Sequence, residues 1–171
     1  MTPQEFETFL KIWDEDAQRT ITILQALPKD SYDFRPDPGA RSIGEMAWHL
    51  AEGDAYNSVG VAEGGFSPDM RPPGMERPKQ IEALAPGYER IHREAVARVR
   101  KLKPADLERK ISFFTGEERS GGWILWGTLF HNIHHRGQLS LMCRLAGGVS
   151  PAIFGPNREE MAAMRGQADG A

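Results

Sequence analysis

The chain has 171 residues with a net charge of −3, and 40% of its residues are apolar, so it can form one globular domain with a substantial core. The weak negative charge, without a Lys/Arg cluster, excludes the basic surface that nucleic-acid binding requires. The single cysteine excludes an intramolecular disulfide, and no segment has the ~18 continuous apolar residues of a membrane span, so we expect a soluble cytoplasmic protein.

The first predicted helix extends from Thr2 to Pro28. Thr2 is a suitable N-cap, Pro3 suits the first helical position, and Glu5 completes a capping box. Apolar residues then recur at steps of three and four along one face: Phe6, Phe9, Leu10, Trp13, Ala17, Ile21, Leu24 and Leu27. The acidic residues in this segment differ from the basic and apolar regions of a signal peptide, which agrees with a cytoplasmic location.

A second helix is predicted to begin after Ser42, which can act as an N-cap with Glu45 in the capping-box position. His49 lies in the middle of this helix. Two segments rich in proline and glycine, 28–41 and 64–78, flank the helix and predict long connections. Connections of this length in a small domain often form lids or pocket walls.

The third predicted helix extends from about Lys79 to Leu102, although Pro86 should kink or interrupt its first turns. The residues that follow predict a short turn at 105–107 and an extended segment at 111–114. A lone strand at that position would have marginal stability.

The fourth predicted helix extends from Gly121 to Gly147 and has apolar residues on almost every side, which is typical of a helix buried between neighbours. The residues expected to pack the bundle from this helix are Leu125, Trp126, Leu129, Phe130, Ile133, Leu141 and Leu145. Residues 157–171 are mostly small or polar and predict a poorly ordered tail, which follows a single domain at residues 1–156.

These four amphipathic helices of roughly 20 to 25 residues predict an all-α fold, a four-helix bundle with long crossover loops. The long connections after the first and second helices argue against a bundle in which short loops join consecutive antiparallel helices. The sequence has no internal repeat and no second core.

Three of the five histidines lie in the fourth helix. His131 and His135 are four residues apart, which places them on one helix face about 40° from each other, so both imidazoles can reach one point. A metal site needs a further ligand, and His49 occupies a comparable mid-helix position in the second helix. Zn²⁺ and Ni²⁺ favour imidazole nitrogen, and three histidines with an open position form a catalytic arrangement. From spacing alone, a metal site and ordinary core histidines are equally supported.

The other two histidines fit a metal site less well. His134 points about 100° away from its neighbour His135, so we expect it to form hydrogen bonds behind the ligands or between helices. His92 and Glu89 form one Glu-x-x-His motif, but di-iron bundles need two such motifs and two further glutamates. We therefore expect His92 at the surface or at the rim of the bundle.

Several polar residues lie close to the predicted histidine cluster. Helical spacing places Glu45, Glu52 and Tyr56 near the face of His49, while Gly53 could leave open space above a metal. Each carboxylate is also an ordinary solvated helix residue, so no catalytic base is assigned. Gln138 could orient a ligand or substrate.

Two further residues of the fourth helix are predicted to serve the fold. Arg136 points away from the face of His131 and is expected to pair with a carboxylate on a neighbouring helix. Cys143 lies in an apolar environment and is expected to be buried and unreactive.

Two segments resemble the signature segments of the DinB-like (DinB/YfiT-type) family of metal-dependent enzymes: SIGEMAWHLAEGD at Ser42–Asp54 and HNIHHRGQL at His131–Leu139. The similarity covers most of the chain and assigns His49, His131 and His135 as the three metal ligands. It implies a four-helix bundle, often a homodimer, that holds Ni²⁺ or Zn²⁺. The better-understood relatives include thiol-dependent transferases and isomerases, and many others are labelled hydrolases.

Two functional hypotheses follow. In the first, the chain is a cytoplasmic metalloenzyme that uses a divalent transition metal to hydrolyse a small molecule or to transfer a group to or from a low-molecular-weight thiol. In the second, it is a non-catalytic metal-binding bundle that acts in stress response or in partner binding. The absence of an unmistakable acid, base or nucleophile beside the histidines keeps the second hypothesis open.

Overall fold

A computed structural model of the chain describes residues 1–113 and 116–168. The helices are α1 (Pro3–Gln25), α2 (Ile43–Glu63), α3 (Leu84–Val99), α4 (Pro104–Glu108), α5 (Gly121–Leu145) and α6 (Arg158–Ala168). Strands β1 (Lys110–Ser112) and β2 (Glu118–Ser120) form an antiparallel hairpin in which Ile111 lies opposite Arg119. Short 3₁₀ turns at Lys29–Ser31 and Ile81–Ala83 interrupt the two long connections.

Helices α1, α2, α3 and α5 pack against one another, which confirms the predicted all-α four-helix bundle. The core has two parts along the bundle, one around Trp48 and Tyr88 and the other around Phe9, Trp13 and Leu125. In the ranges 1–113 and 116–168, no helix is both long enough and apolar enough to cross a bilayer.

The predicted helix starts of α1 and α2 are confirmed. Thr2 and Ser42 each accept a hydrogen bond from the backbone of the glutamate three residues later, and each glutamate side chain accepts one from the cap backbone. Gly64 ends α2 in the left-handed region at φ 79°, which glycine adopts without a Cβ penalty.

The third helix begins later than predicted, at Leu84 rather than Lys79. Pro86 therefore lies in the first turn, where its missing N–H would have no intrahelical partner. The predicted turn at 105–107 is part of α4. The predicted extended segment forms β1 at its start and gains a partner in β2, while its last residue, Phe114, lies outside the described residues.

The segment 157–171, for which we expected a poorly ordered tail, contains α6 at Arg158–Ala168. Arg144 of α5 holds it through a bidentate pair, with nitrogen–oxygen distances of 2.6 and 2.7 Å to the two carboxylate oxygens of Glu159. Residues 169–171 lie outside the described part of the chain.

The expectation that α5 is buried on nearly all sides is wrong for its outer face. Leu125 and Leu129 are buried, but the side chains that face away from the bundle are more than half exposed: Trp123, Phe130, Leu141 and Leu145. Helix α5 packs on α1, α2 and the short α4, while these four side chains remain exposed within the described part of the chain. An apolar pattern cannot distinguish burial inside one chain from burial against another.

A buried polar cluster occupies the middle of the bundle. The carboxylate of Asp54 is fully buried and accepts hydrogen bonds from Trp13 Nε1 at 3.2 Å and Asn132 Nδ2 at 2.8 Å. Its other oxygen lies 2.7 Å from His92 Nδ1, and Asp14 Oδ1 lies 3.1 Å from His92 Nε2. The expectation that His92 lies at the surface is therefore wrong, because two carboxylates compensate for its burial.

The two carboxylates favour the charged form of His92. Burial alone would lower the pKa of this imidazole, but the hydrogen bonds and negative charges of Asp54 and Asp14 outweigh burial and raise the pKa above 6.5. His92 thus lies between two carboxylates, and it links α3 to α1 and α2.

The predicted pairing of Arg136 is also confirmed. Its Nη1 lies 2.5 Å from Asp16 Oδ1 and donates to the backbone oxygen of Asp16 at 3.0 Å, with both side chains buried. Burial nevertheless raises the pKa of Asp16 against the opposing effect of Arg136. Removing one member of such a buried pair typically costs about 3–5 kcal/mol of stability, because the other charge is left uncompensated.

The raised pKa of His92 predicts a pH-dependent stability. The stabilisation from its charged form is fully present below the unfolded-state pKa of about 6.5 and is lost as the pH rises through the higher folded-state pKa. We expect the free energy of unfolding of metal-free protein, measured by urea titration, to fall as the pH rises above about 6.5 for the wild type and to change less for His92→Gln. The exposed His134 supplies a control, since His134→Gln should keep the wild-type profile. Parallel profiles for wild type and His92→Gln would contradict this assignment.

Candidate metal centre

The three predicted histidines meet where α2 and α5 pack together. His49 lies in the middle of α2, and His131 and His135 occupy one face of α5. Gly53 permits the close approach, because a Cβ at this position would lie 3.2 Å from Asn132 Oδ1 and 3.5 Å from His131 Nδ1. The predicted space at Gly53 is therefore taken up by side chains of α5.

The imidazole nitrogens converge on one point. His131 Nε2 lies 3.0 Å from His49 Nε2, and one ring nitrogen from each of the three histidines falls within 4.8 Å of the others. Two nitrogen ligands at the usual distance of about 2.0–2.1 Å from one Zn²⁺ are separated by about 3–3.4 Å, so the 3.0 Å between His49 and His131 fits a shared ion. The His135 nitrogen lies within 4.8 Å of these two and has to come closer to bind the same ion.

A side-chain oxygen faces the Nδ1 atom of every histidine in the cluster. The pairs are His49 with Glu52 Oε2 at 3.4 Å, His131 with Asn132 Oδ1 at 3.3 Å, and His135 with Gln138 Oε1 at 2.6 Å. An acceptor at Nδ1 favours the tautomer that carries its proton there and leaves the Nε2 lone pair free. The expectation that Gln138 orients a ligand agrees with its contact to His135.

The environment keeps two of these histidines neutral. Burial is the main cause that lowers the pKa of His131 to about 4, and it outweighs the hydrogen bond of Asn132, while the neighbouring histidines lower the pKa further. Burial also lowers the pKa of His135. Because a metal ligand must be neutral imidazole, both rings can bind a cation at neutral pH without first losing a proton.

His134 lies outside this cluster. Its side chain is exposed, and its ring contacts that of His135 with centroids 4.9 Å apart. Among the described residues, the group that could hold a metal comprises His49, His131 and His135, each half-buried. The one-residue offset along α5 thus separates His134 from the common point.

A cavity of about 370 Å³ adjoins the histidines. Its walls are mostly apolar, and the residues around it are His49, Glu52, Gly53, Tyr56, Asn57, Phe113 and His131. Helical spacing from His49 predicted the other α2 residues of this cavity but not Asn57. Asn57 nevertheless follows Gly53 by one helical turn on the same face. Asn57 Oδ1 is buried and has no hydrogen-bond partner within the described residues.

The two candidate carboxylates of α2 have different surroundings. Glu45 completes the N-terminal capping box and pairs with Arg35 at 2.7 Å, and the pKa of Glu45 falls to about 2 because of Arg35 and the Ser42 backbone. Glu52 instead faces His49 and borders the cavity. Glu52 is therefore the carboxylate of this pair that lies at the site.

Cys143 is not one of the residues of the histidine cluster. Its thiol is buried among core residues, and burial raises its pKa. Both observations agree with the predicted unreactive role.

Comparison with known proteins identifies the family. The sequence profile of the DinB superfamily matches residues 12–139. YrdA of Bacillus subtilis (strain 168), named only as an uncharacterized protein, is 28% identical over 165 residues, which cover 93% of each chain.

Solved structures show the same fold. The DinB-like protein YjoA of Bacillus subtilis superposes with a TM-score of 0.71 at 20% identity, covering 88% of this chain and 99% of YjoA. YfiT of the same organism, described as a probable metal-dependent hydrolase with an unusual four-helix bundle topology, has a TM-score of 0.67 at 13% identity, with 86% and 90% covered. On the match across most of its length, the chain belongs to the DinB superfamily.

Proposed function

We propose that this protein is a metal-dependent enzyme whose His49, His131 and His135 hold one divalent transition metal, with Zn²⁺ or Ni²⁺ the ions that best match three imidazoles. The observation that carries the proposal is the convergence of three ring nitrogens whose opposite nitrogens each face an oxygen. The description of YfiT as a probable metal-dependent hydrolase supports the same chemistry on the same fold.

The reaction we propose is hydrolysis of a small molecule or thiol-dependent group transfer. A bound ion of this kind would polarise a carbonyl, lower the pKa of water to near 7 or bind a thiolate. The chain contributes three imidazoles, and the Glu52 carboxylate orients His49 from the edge of the cavity.

The cavity sets limits on the substrate. Its mostly apolar walls favour a compound with an apolar part, and its volume suits a small molecule rather than a polymer. His49, Glu52, Tyr56 and Asn57 bring the polar groups of its α2 wall. We place this activity in the cytoplasm, where the free thiol of Cys143 would stay reduced.

We further propose that the protein forms a homodimer through the outer stripe of α5, defined here as Trp123, Phe130, Leu141 and Leu145 with Gly127 and Gly137 between them. These residues follow one another at steps of four, three, seven, four and four residues, which places them along one side of the helix. A Cβ at Gly137 would meet nothing within 4 Å, so a second helix can approach closely there.

The size of the outer stripe supports a second copy as its occupant. Its two aromatic side chains are 51% and 62% exposed, and its two leucines 55% and 60%. Since one aromatic side chain carries about 150–250 Å² of surface, the exposed apolar area reaches several hundred Å². This matches the largest patches of monomers, about 300–600 Å², and approaches the ~800 Å² that each partner buries in a standard interface. The stripe itself carries no Asp, Glu, Lys or Arg, and the Arg119 guanidinium lies over the Trp123 ring at one end, 4.8 Å from the ring centroid.

Metal analysis tests the site. Protein purified without chelator should contain about one transition-metal ion per chain by elemental mass spectrometry, and His49→Ala, His131→Ala and His135→Ala should each lose most of it, because two remaining histidines bind weakly. His134→Ala is the matched control and should retain its metal. Full occupancy in all three ligand variants would refute the site, and a loss in His134→Ala as large as in His135→Ala would mean that the wrong neighbour was chosen.

Activity assays separate an enzyme from a metal-binding bundle. We expect metal-loaded protein to turn over an ester, amide or lactone, or an electrophile supplied with a low-molecular-weight thiol. The activity should fall at least ~100-fold after chelation or in His131→Ala, because the ion supplies the electrophile. Activity that survives both treatments would contradict the metalloenzyme. Inactivity toward every class would favour the non-catalytic alternative.

The dimer is tested by light scattering after size exclusion. Leu141→Glu and Leu145→Glu should convert dimer to monomer, because each places a charge in a desolvated interface. Ile12→Glu, which changes an exposed apolar residue of α1, is the control and should remain dimeric. A monomeric wild type, or dimers of both stripe variants, would contradict the interface.

A further inference from the structure

We propose that Asn132 and Asp54 are positioning residues that fix the ring orientation and the tautomer of His131. This inference rests on the proposed metal site, because it assigns these residues a role toward that site. It concerns the polar cluster behind the histidines, and it explains why one ligand is held from the core of the bundle.

The first step is the orientation of the Asn132 amide. An ionised carboxylate only accepts hydrogen bonds, so the Asn132 atom 2.8 Å from Asp54 Oδ1 must be its NH₂ nitrogen. The amide oxygen therefore faces the opposite direction, where it lies 3.3 Å from His131 Nδ1. The hydrogen bond to Asp54 thus distinguishes the amide nitrogen of Asn132 from its amide oxygen, which are otherwise hard to tell apart.

The second step is the immobilisation of Asp54. Its side chain is fully buried, and two further donors hold it, Trp13 of α1 and His92 of α3. The carboxylate can neither rotate nor move toward solvent without leaving these donors unpaired. Leaving buried donors unpaired is costly, so the orientation of Asn132 is strongly fixed.

The third step concerns His131 itself. With an oxygen fixed beside Nδ1, the ring carries its proton at Nδ1, so its Nε2 accepts the hydrogen bond from His49 Nε2, 3.0 Å away. Gly53 leaves room for the contact between Asn132 and His131, since a Cβ there would lie only 3.2 Å from Asn132 Oδ1. The tautomer required for metal binding therefore exists before any ion arrives.

The other two histidines have less constrained partners. Glu52 is half-exposed at the cavity and Gln138 is exposed, so each can change rotamer in water. Asn132, in contrast, is buried, with 1% of its surface accessible. His131 is thus the preorganised ligand, and His49 and His135 complete the site around it.

The direct test is ¹⁵N NMR of the histidine rings in metal-free protein near neutral pH. In the wild type, His131 should be neutral with its proton on Nδ1, and in Asn132→Leu this preference should be lost. Metal affinity, measured by competition with a chromophoric chelator, should fall about 10–100-fold in Asn132→Leu. Thr128→Val is the control, because its buried hydroxyl on the same helix bonds to the Ile124 carbonyl and not to the histidines.

A second variant keeps the test informative if Asn132→Leu folds poorly. Gly53→Ala adds a methyl group beside the Asn132–His131 contact, while alanine suits the surrounding helix α2. This variant should also weaken metal binding. A wild-type His131 with its proton on Nε2, or wild-type affinity in both variants, would overturn the proposal. If His131→Ala also leaves affinity unchanged, the metal site itself fails, whereas the NMR tautomer still reports on the positioning role.

Discussion

The buried carboxylate of Asp54 is the interaction on which the bundle and the site both depend. It accepts hydrogen bonds from α1 through Trp13, from α3 through His92 and from α5 through Asn132, while it belongs to α2. One anion therefore joins all four long helices at the same level. A buried anion is costly unless it is fully hydrogen-bonded, and this constraint fixes the relative positions of the helices more precisely than apolar packing can.

Asn132 lies between the polar interior of the bundle and the histidines of the site. On one side lie His92 with its two carboxylate partners and the Arg136–Asp16 pair. On the other side, burial lowers the pKa of His131 and keeps its lone pair available. Asn132 is a neutral side chain that contacts Asp54 on one side and His131 on the other. It therefore orients the imidazole without placing a charge beside it. The arrangement allows a rigid ligand beside a cavity that is open to small molecules.

The sequence predicted the fold well because caps and helical periodicity are local signals, as at Thr2 and Ser42. It also predicted that His131 and His135 share a face, since their spacing is a property of one helix. His49 was paired with them through family resemblance, and Asn132 and Asp54 were missed, because hydrogen bonds between helices have no sequence period.

The predictions for His92 and for the outer face of α5 were both wrong, because a sequence pattern does not show which other elements cover a residue. His92 proved to be buried, since partners on two other helices compensate for its charge. The apolar outer face of α5 proved to be exposed within this chain.

We propose that three imidazoles from α2 and α5 share one ion. Anomalous diffraction from a crystal of the metal-loaded protein, recorded on both sides of the absorption edge of the metal, tests this shared site most directly. We expect one strong anomalous peak per chain, about 2.0–2.1 Å from Nε2 of each of His49, His131 and His135. A peak coordinated by His134, or an ion bound elsewhere while these three nitrogens stay free, would contradict it.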